Sequence, residues 1–252
     1  FFFIQVFPSL AEVRHSHQYV KCNRIRTGLR AIRYTCIFRR FRYAWLPFSK
    51  PHPLMNVNDP LRIDAIARVL SLAFYRDPLF CYFFPDDSRR LAQSRHTFLF
   101  LARHAQHRGE ICTPPGSVDG AALWLPSDAL HRSVMDMLRF GALPMLRQGP
   151  AAVKRQLDAG DAMQKVHDGL MSKPHAYLLL LGIDPQHQGR GLATRLLEPT
   201  LERLDREGLP AYLDTHNPDN VSLYRRFGFE VVHEAPMPGT QVRHWAMVRG
   251  NR

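Results

Sequence analysis

Apolar residues recur at helical spacing early in the chain: Ile63, Ile66, Ala67, Leu70 and Phe74 follow Asn58 or Asp59 and Pro60, a cap and first-turn proline that mark a helix start. A second helix is expected over about 88–107, ended by Gly109. Residues 110–113 and 121–125 read as two strands about the turn at Pro115-Gly116. Pro126 closes that hairpin. Stripes at Leu130, Val134, Met137 and Leu138, and again after Pro150, then predict a helical insertion over about 127–174. It holds Met135, Met137, Met145, Met163 and Met171, flexible thioethers that suit either an adaptable apolar surface or ordinary core filling.

The pattern sharpens from residue 176. Residues 177–183, YLLLLGI, are apolar without alternation, as in a central strand covered on both faces. After a glycine-bearing turn, Leu192, Leu196, Leu197, Leu201 and Leu204 form one helical stripe opposed by Arg195, Glu198, Glu202, Arg203 and Asp205, and Gly208 and Pro210 stop it. Pro199 lies inside this helix and predicts a kink rather than an end. A short strand at 211–214, a helix at about 218–227 and strands at 229–233 and 243–248 complete the order. Such an order of strands and helices predicts an α/β (α+β) domain whose central mixed sheet is flanked by helices.

The formal charge of +12 changes the picture only when it is divided along the chain. Residues 1–54 hold ten Lys/Arg against one acid, Glu12, leaving 24 basic and 21 acidic residues, a net of +3, for the remainder. The folded domain is therefore nearly balanced, and no nucleic-acid partner is expected for it. The basic extension lacks an amphipathic stripe and is expected to be disordered, targeting or non-native. Three readings compete for it: an Arg-rich mitochondrial targeting peptide, a nucleic-acid or membrane arm, and sequence upstream of a true start at Met55, which is favoured because Met55 falls just before the first helix signal. Residues 55–252 form the expected domain, cytoplasmic, or mitochondrial if the extension is a genuine targeting segment. No apolar run reaches the roughly 18 residues of a membrane span, so no membrane partner is expected, and nothing in the pattern sets an oligomeric state. The four cysteines, Cys22, Cys36, Cys81 and Cys112, show no C-x-x-C spacing, and His104 and His107 lack further ligands and read as a solvated helix face. No metal is expected.

The chemistry concentrates at Gln186-His187-Gln188-Gly189-Arg190-Gly191. A Q-x-x-G-x-G turn between a buried strand and a helix binds anions, because its glycines admit close backbone approach and the unpaired amides of the first helical turn point at the ligand. A dinucleotide fingerprint fails, since Thr194 stands where a third glycine is needed, and no Gly-Lys-Ser/Thr follows for a P-loop. Asn220 and Tyr224 are four residues apart and share one helix face, with Leu223 and Phe227 as the neighbouring core-facing pair.

QHQGRG between strand and helix, followed by YLDTHNPDNVSLYRRFGF and a closing RHWAMVR strand, resembles the GCN5-related N-acetyltransferases over residues 176–249, loosely over 58–249, and is most similar to their puromycin N-acetyltransferase type. The resemblance implies acetyl-CoA as cosubstrate, with backbone groups at Leu181, Gly182 and Ile183 holding the pantetheine and acetyl group. The turn at Gln188, Gly189, Arg190, Gly191, Leu192 and Ala193 would bind the pyrophosphate. Asn220 and Tyr224 would face the coenzyme, and the Tyr224 phenol would protonate the leaving thiolate as a general acid. Direct transfer of acetyl to a primary amine of a small molecule is the expected reaction; a protein or peptide N-acetyltransferase and a noncatalytic CoA-binding module are the alternatives. Asp214, His216, Glu110 and His175 all carry groups able to act as the base; Asp214 stands where the family usually has Glu, and a hydrogen-bonded strand end is its alternative reading. Capping is the alternative for Asn220, a core aromatic that for Tyr224. Arg190, Arg225 and Arg226 are candidate phosphate contacts.

Overall fold

The computed structural model of the chain describes residues 60–130 and 134–250. The basic extension, Met55 and the caps at Asn58 and Asp59 lie outside the described residues. Helices α1 (Pro60–Ala73), α2 (Pro78–Phe83) and α3 (Asp87–Arg108) come first, then strands β1 (Glu110–Cys112) and β2 (Gly120–Pro126). The insertion carries α4 (Val134–Phe140) and the long α5 (Pro150–Leu170). Strand β3 (Ala176–Ile183), helix α6 (Leu192–Glu207), β4 (Ala211–Thr215), α7 (Pro218–Arg226), β5 (Glu230–Pro236) and β6 (Arg243–Arg249) follow. The strands form one sheet in the order β1-β2-β3-β4-β6-β5, in which β3 and β4 are parallel and every other pair antiparallel. The expected mixed sheet flanked by helices is what the chain builds. Among the described residues no helix is long and apolar enough to cross a membrane.

Helices cover both faces of the sheet. One face packs Leu196, Leu197, Leu201 and Leu204 of α6 and Val221 and Tyr224 of α7 against Leu178, Leu213, Trp245 and Met247. The other packs α1, α2 and α3 against β2 and the far half of β3, with Met171, Tyr212, Ala246 and Val248 forming a smaller cluster beneath α5. Helix α6 runs through Pro199, whose lost hydrogen bond costs about 3 kcal/mol. Four buried leucines on its inner face, each contributing about 1.5–3 kcal/mol, outweigh that cost.

One irregularity positions everything that follows. Adjacent β2 residues Leu123 and Trp124 pair with Leu180 and Leu178, so Leu179 is an extra residue, a β-bulge that turns the side chains beyond it to opposite faces. Leu178 accordingly belongs to the α6 face and Leu180 to the α1 face. The parallel pairing of β3 with β4 covers only Ala176–Leu178 against Ala211–Leu213. Beyond it the edge of β3 that faces β4 has no partner strand among the described residues.

Two expectations are corrected here. His104 is not a solvated face residue: it is 1% exposed and stacks on Phe140 with ring centroids 5.1 Å apart, because α4 folds back over α3. On α7 the core-facing pair is Val221 and Tyr224, while Leu223 and Phe227 are only partly buried, since it is the Val221–Tyr224 side of the helix that packs on the sheet. The insertion is helical as expected, and its methionines divide, Met171 joining the core while Met135 is exposed.

Gly182 tests the packing of α1 on the bulged strand. A Cβ there would lie 2.7 Å from Leu70 Cδ2 and 3.1 Å from Ala73 Cβ. Gly182→Ala is expected to lower stability by about 1–3 kcal/mol through overpacking, read as a shift of the urea midpoint at constant slope; an unmoved midpoint would mean α1 yields freely.

Candidate active site

The gap opened between β3 and β4 continues into a cavity of about 860 Å³ walled by the end of α1 and its following loop, the far half of β3, the turn before α6, and α7. Leu181, Gly182 and Ile183 line it from β3, and Gln188, Gly189, Gly191, Leu192 and Ala193 from the turn and first helical turn. Asn220, Leu223, Tyr224 and Arg226 line it from α7. Of the residues singled out in the sequence, Arg190 and Arg225 are the cations left outside the wall, both exposed to solvent.

The turn is built for close backbone approach. Asp184 caps the single turn Pro185–His187 by accepting from the Gln186 N–H at 2.9 Å, and the Gln188 side chain donates back to the Ile183 carbonyl at 3.2 Å. Gly189 and Gly191 have φ of 75° and 72°, left-handed conformations that other residues adopt only under strain, and a Cβ built on either meets nothing within 4 Å. Gly191 is also the N-cap of α6 and supplies no side-chain cap. The first amides of a 16-residue helix therefore open toward the cavity without a capping side chain. That arrangement fits a pyrophosphate, with the helix dipole adding about 0.3–1 kcal/mol per charge. The unpartnered β3 edge fits the amide-bearing arm of pantetheine, which can pair as a strand does. Gly182 lacks a side chain for a different reason, the contact with α1 described above; only its backbone faces the ligand space.

Helix α7 starts at Asn217, whose side chain accepts from the Asp219 N–H at 3.0 Å. Asn220 is thus not the cap, and its side chain is left to the cavity. Tyr224 is a core aromatic that also lines the cavity wall: the ring is 6% exposed and packs edge-on to Phe229, with centroids 6.0 Å apart. Burial, reinforced by the nearby Asp77 carboxylate, pushes the phenol up and keeps it protonated at neutral pH.

The four candidate bases are placed elsewhere. Asp214 lies outside the cavity wall: its side chain, 5% exposed, accepts from the Tyr177 and Tyr212 hydroxyls at 2.6 and 2.8 Å and pairs with His244 Nε2 at 2.5 Å, the hydrogen-bonded strand end that was its alternative reading. Glu110 is bound to Arg203 at 2.6 Å on the far edge of the sheet. His175 and His167 share a hydrogen bond at 2.8 Å under α5. His216 is buried, stacked on His244, and pushed down to about 4 by desolvation and by His244. Among the described residues no group of three or more His, Cys, Asp and Glu is arranged to hold a metal.

Charged residues that the sequence pattern does not single out also line the cavity, namely Arg76, Asp219 and Asp77, and of these Asp77 is the least exposed. Its Oδ1 accepts from the N–H groups of Leu79 and Phe80 at 2.9 and 3.3 Å, capping α2. Desolvation pushes the carboxyl up to about 6 against those two hydrogen bonds. Asp77-Pro78 is a cap followed by a first-turn proline, the signal used at Pro60, and would have revealed α2.

The model of the acetyltransferase (GNAT) family matches residues 158–229, which run from α5 through α7. An uncharacterized N-acetyltransferase of Schizosaccharomyces pombe is 40% identical over 53 residues, 21% of this chain and 22% of that protein. The mycothiol acetyltransferase of Thermobifida fusca is 39% identical over 88 residues, 32% of this chain and 27% of the relative. The chain thus spans about a quarter of the length of these curated relatives. A crystal structure of a histone acetyltransferase HPA2 and related acetyltransferase from Corynebacterium glutamicum aligns over 77% of this chain and 93% of its own, with a TM-score of 0.51 at 20% identity. That likeness is one of fold.

The raised Asp77 carboxyl has a measurable sign. Because the fold favours the neutral acid, the ionised group costs stability above about pH 6, and the cost disappears below the ordinary value of 3.8. Asp77→Asn keeps a good cap without the charge. Relative to the parent it should be equally stable near pH 3.5 and gain on the order of 1–2 kcal/mol by pH 8, measured by urea unfolding at both pH values; a pH-independent difference contradicts the assignment.

Proposed function

We propose that the chain is an acyltransferase that moves the acetyl group of acetyl-CoA to a primary amine by direct attack. The observation that carries the reading is the continuity of one cavity. An unpartnered parallel-strand edge at Leu181–Ile183 leads into the glycine-framed, uncapped start of α6, with a buried phenol, Tyr224, beside it. The family match over 158–229 supports the same chemistry independently.

In this reading each group acts on a different part of the coenzyme. The amides of Gly189, Gly191, Leu192 and Ala193 take the pyrophosphate, and Gln188 ties their turn to the end of β3. The β3 edge pairs with the pantetheine amides and leaves a backbone N–H near Ile183 to polarise the thioester carbonyl. Asn220 and Tyr224 reach the coenzyme from α7. The Tyr224 phenol, protonated throughout the neutral range, donates to the departing sulfur, a contribution worth typically 10²- to 10⁴-fold. The acceptor in the first reading is a small-molecule amine, as the likeness to the puromycin type implies. A second reading, a peptide amine, draws on the open cleft lined by Pro78, Tyr82 and residues 239–242, which could admit an extended chain.

Purified protein incubated with acetyl-CoA and separate pools of small primary amines and of peptides, followed by mass spectrometry, decides between the acceptors; CoA binding with no acetylated product in either pool would leave a noncatalytic CoA-binding module. Tyr224→Phe is expected to lower turnover by at least about 10²-fold while the dissociation constant for CoA stays within about threefold. Unchanged turnover would remove Tyr224 from the reaction.

A further inference from the structure

The proposed transfer requires a neutral amine, and each base suggested by the sequence is engaged or closed off: Asp214 by two tyrosines and a histidine, Glu110 by Arg203, His175 by His167, and His216 by burial against His244. Two carboxylates line the cavity: Asp219, exposed at the start of α7, and Asp77, which is partly buried and lies close enough to Tyr224 to raise its phenol. Asp77 lines the same cavity as Gly182 and Tyr224, and the next residue, Pro78, lines the second cleft with Tyr82 and the β5–β6 turn at Gly239–Val242. The Asp77-Pro78 step therefore contributes one residue to the wall of each cleft.

The carboxylate is held there by half of its capacity. Both cap hydrogen bonds go to Oδ1, from Leu79 and Phe80, and among the described residues no hydrogen bond is made to Oδ2. A cap alone would be served equally by Ser, Thr or Asn, none of which places an ionised group against a buried phenol. A desolvated carboxylate with a free oxygen in a cavity wall is costly to the fold and useful to a cationic ligand.

On the acetyl-transfer reading above, we propose that Asp77 is the general base of the reaction and the recognition site for an acceptor that arrives as an ammonium. Its Oδ2 accepts a proton from R–NH3+, giving the carboxylic acid and the neutral amine. The amine lone pair forms the N–C bond to the thioester carbonyl carbon, and the C–S bond breaks with its electron pair on sulfur. Tyr224 supplies the sulfur proton and regains one from the newly bonded nitrogen, and Asp77 releases its proton to solvent once products leave. The balance is R–NH3+ plus acetyl-CoA to the N-acetyl amide, CoA thiol and one proton. A carboxyl lifted toward neutrality by desolvation suits this task, because it is ionised at pH 7.5 yet basic enough to hold the proton in transit.

The test compares two nucleophiles at pH 7.5 with the parent protein and Asp77→Asn: 2-phenylethylamine, which is an ammonium, and hydroxylamine, which is neutral and needs no deprotonation before attack. Release of CoA thiol and formation of the amide or hydroxamate are followed together. The expected result is a loss of about 10²-fold or more in kcat with 2-phenylethylamine and a change within about threefold with hydroxylamine. Equal loss with both probes, or no loss with either, overturns the proposal while leaving acetyl transfer intact. A parent protein that binds CoA and acetylates neither probe overturns the transfer reading and this proposal with it. Asp77→Ser, which also retains a cap, repeats the comparison should the Asn variant fail to fold, and Asp77→Glu is expected to recover part of the ammonium-dependent rate.

Discussion

Parallel strands β3 and β4 are held together for only three residues, and the separation that follows is the constraint on which the site depends. A backbone edge left unpaired in a half-buried gap forgoes hydrogen bonds whose absence costs roughly 1–3 kcal/mol for each fully buried group. The fold tolerates this because the opposite edge of β3 remains paired with β2 and α1 packs directly onto Gly182. The bulge at Leu179 makes the separation possible, bending β3 and reassigning its outer residues between the two faces. A ligand that offers amide groups along this edge recovers the missing bonds, so the gap is at once a local weakness and a binding surface.

The same logic governs the turn and helix that complete the cavity. Gly191 is the last residue before α6 and contributes no capping side chain, so the amides of the first turn are satisfied only by water or by an anion. Ordinary helices here are finished otherwise: α2, α3 and α7 each have an Asp or Asn cap. Helix α5, preceded by Gly149, also starts without a side-chain cap, so an open start is not by itself a site; the start of α6 differs in lining the cavity.

Much of this was legible in the residues. The apolar run at 177–183, the QHQGRG turn, the leucine stripe of α6 and the Asn220–Tyr224 spacing each follow from a local rule, and the elements they predict are present. What was not legible depends on long-range packing. The bulge at Leu179 arises from register with Leu123 of β2, 56 residues away in the chain, and has no glycine or proline to announce it. His104 looked solvated because its partner, Phe140, belongs to a later helix. The engagement of Asp214 is invisible in the sequence because Tyr177 and His244 come from two other strands, whereas the cap-proline signal at Asp77-Pro78 is local and legible. The carboxylates divide by satisfaction: Asp214 has all of its neighbours, and Asp77 keeps an oxygen in reserve.

Hydrogen–deuterium exchange of the backbone amides, with and without saturating CoA, measures the central claim directly. Binding at the open strand edge and the uncapped helix predicts slowed exchange confined to two segments, 179–183 and 189–194, with the amides of β5 and β6 unchanged. Saturation with CoA that leaves both segments exchanging as before, while protecting some other part of the chain, would contradict the account.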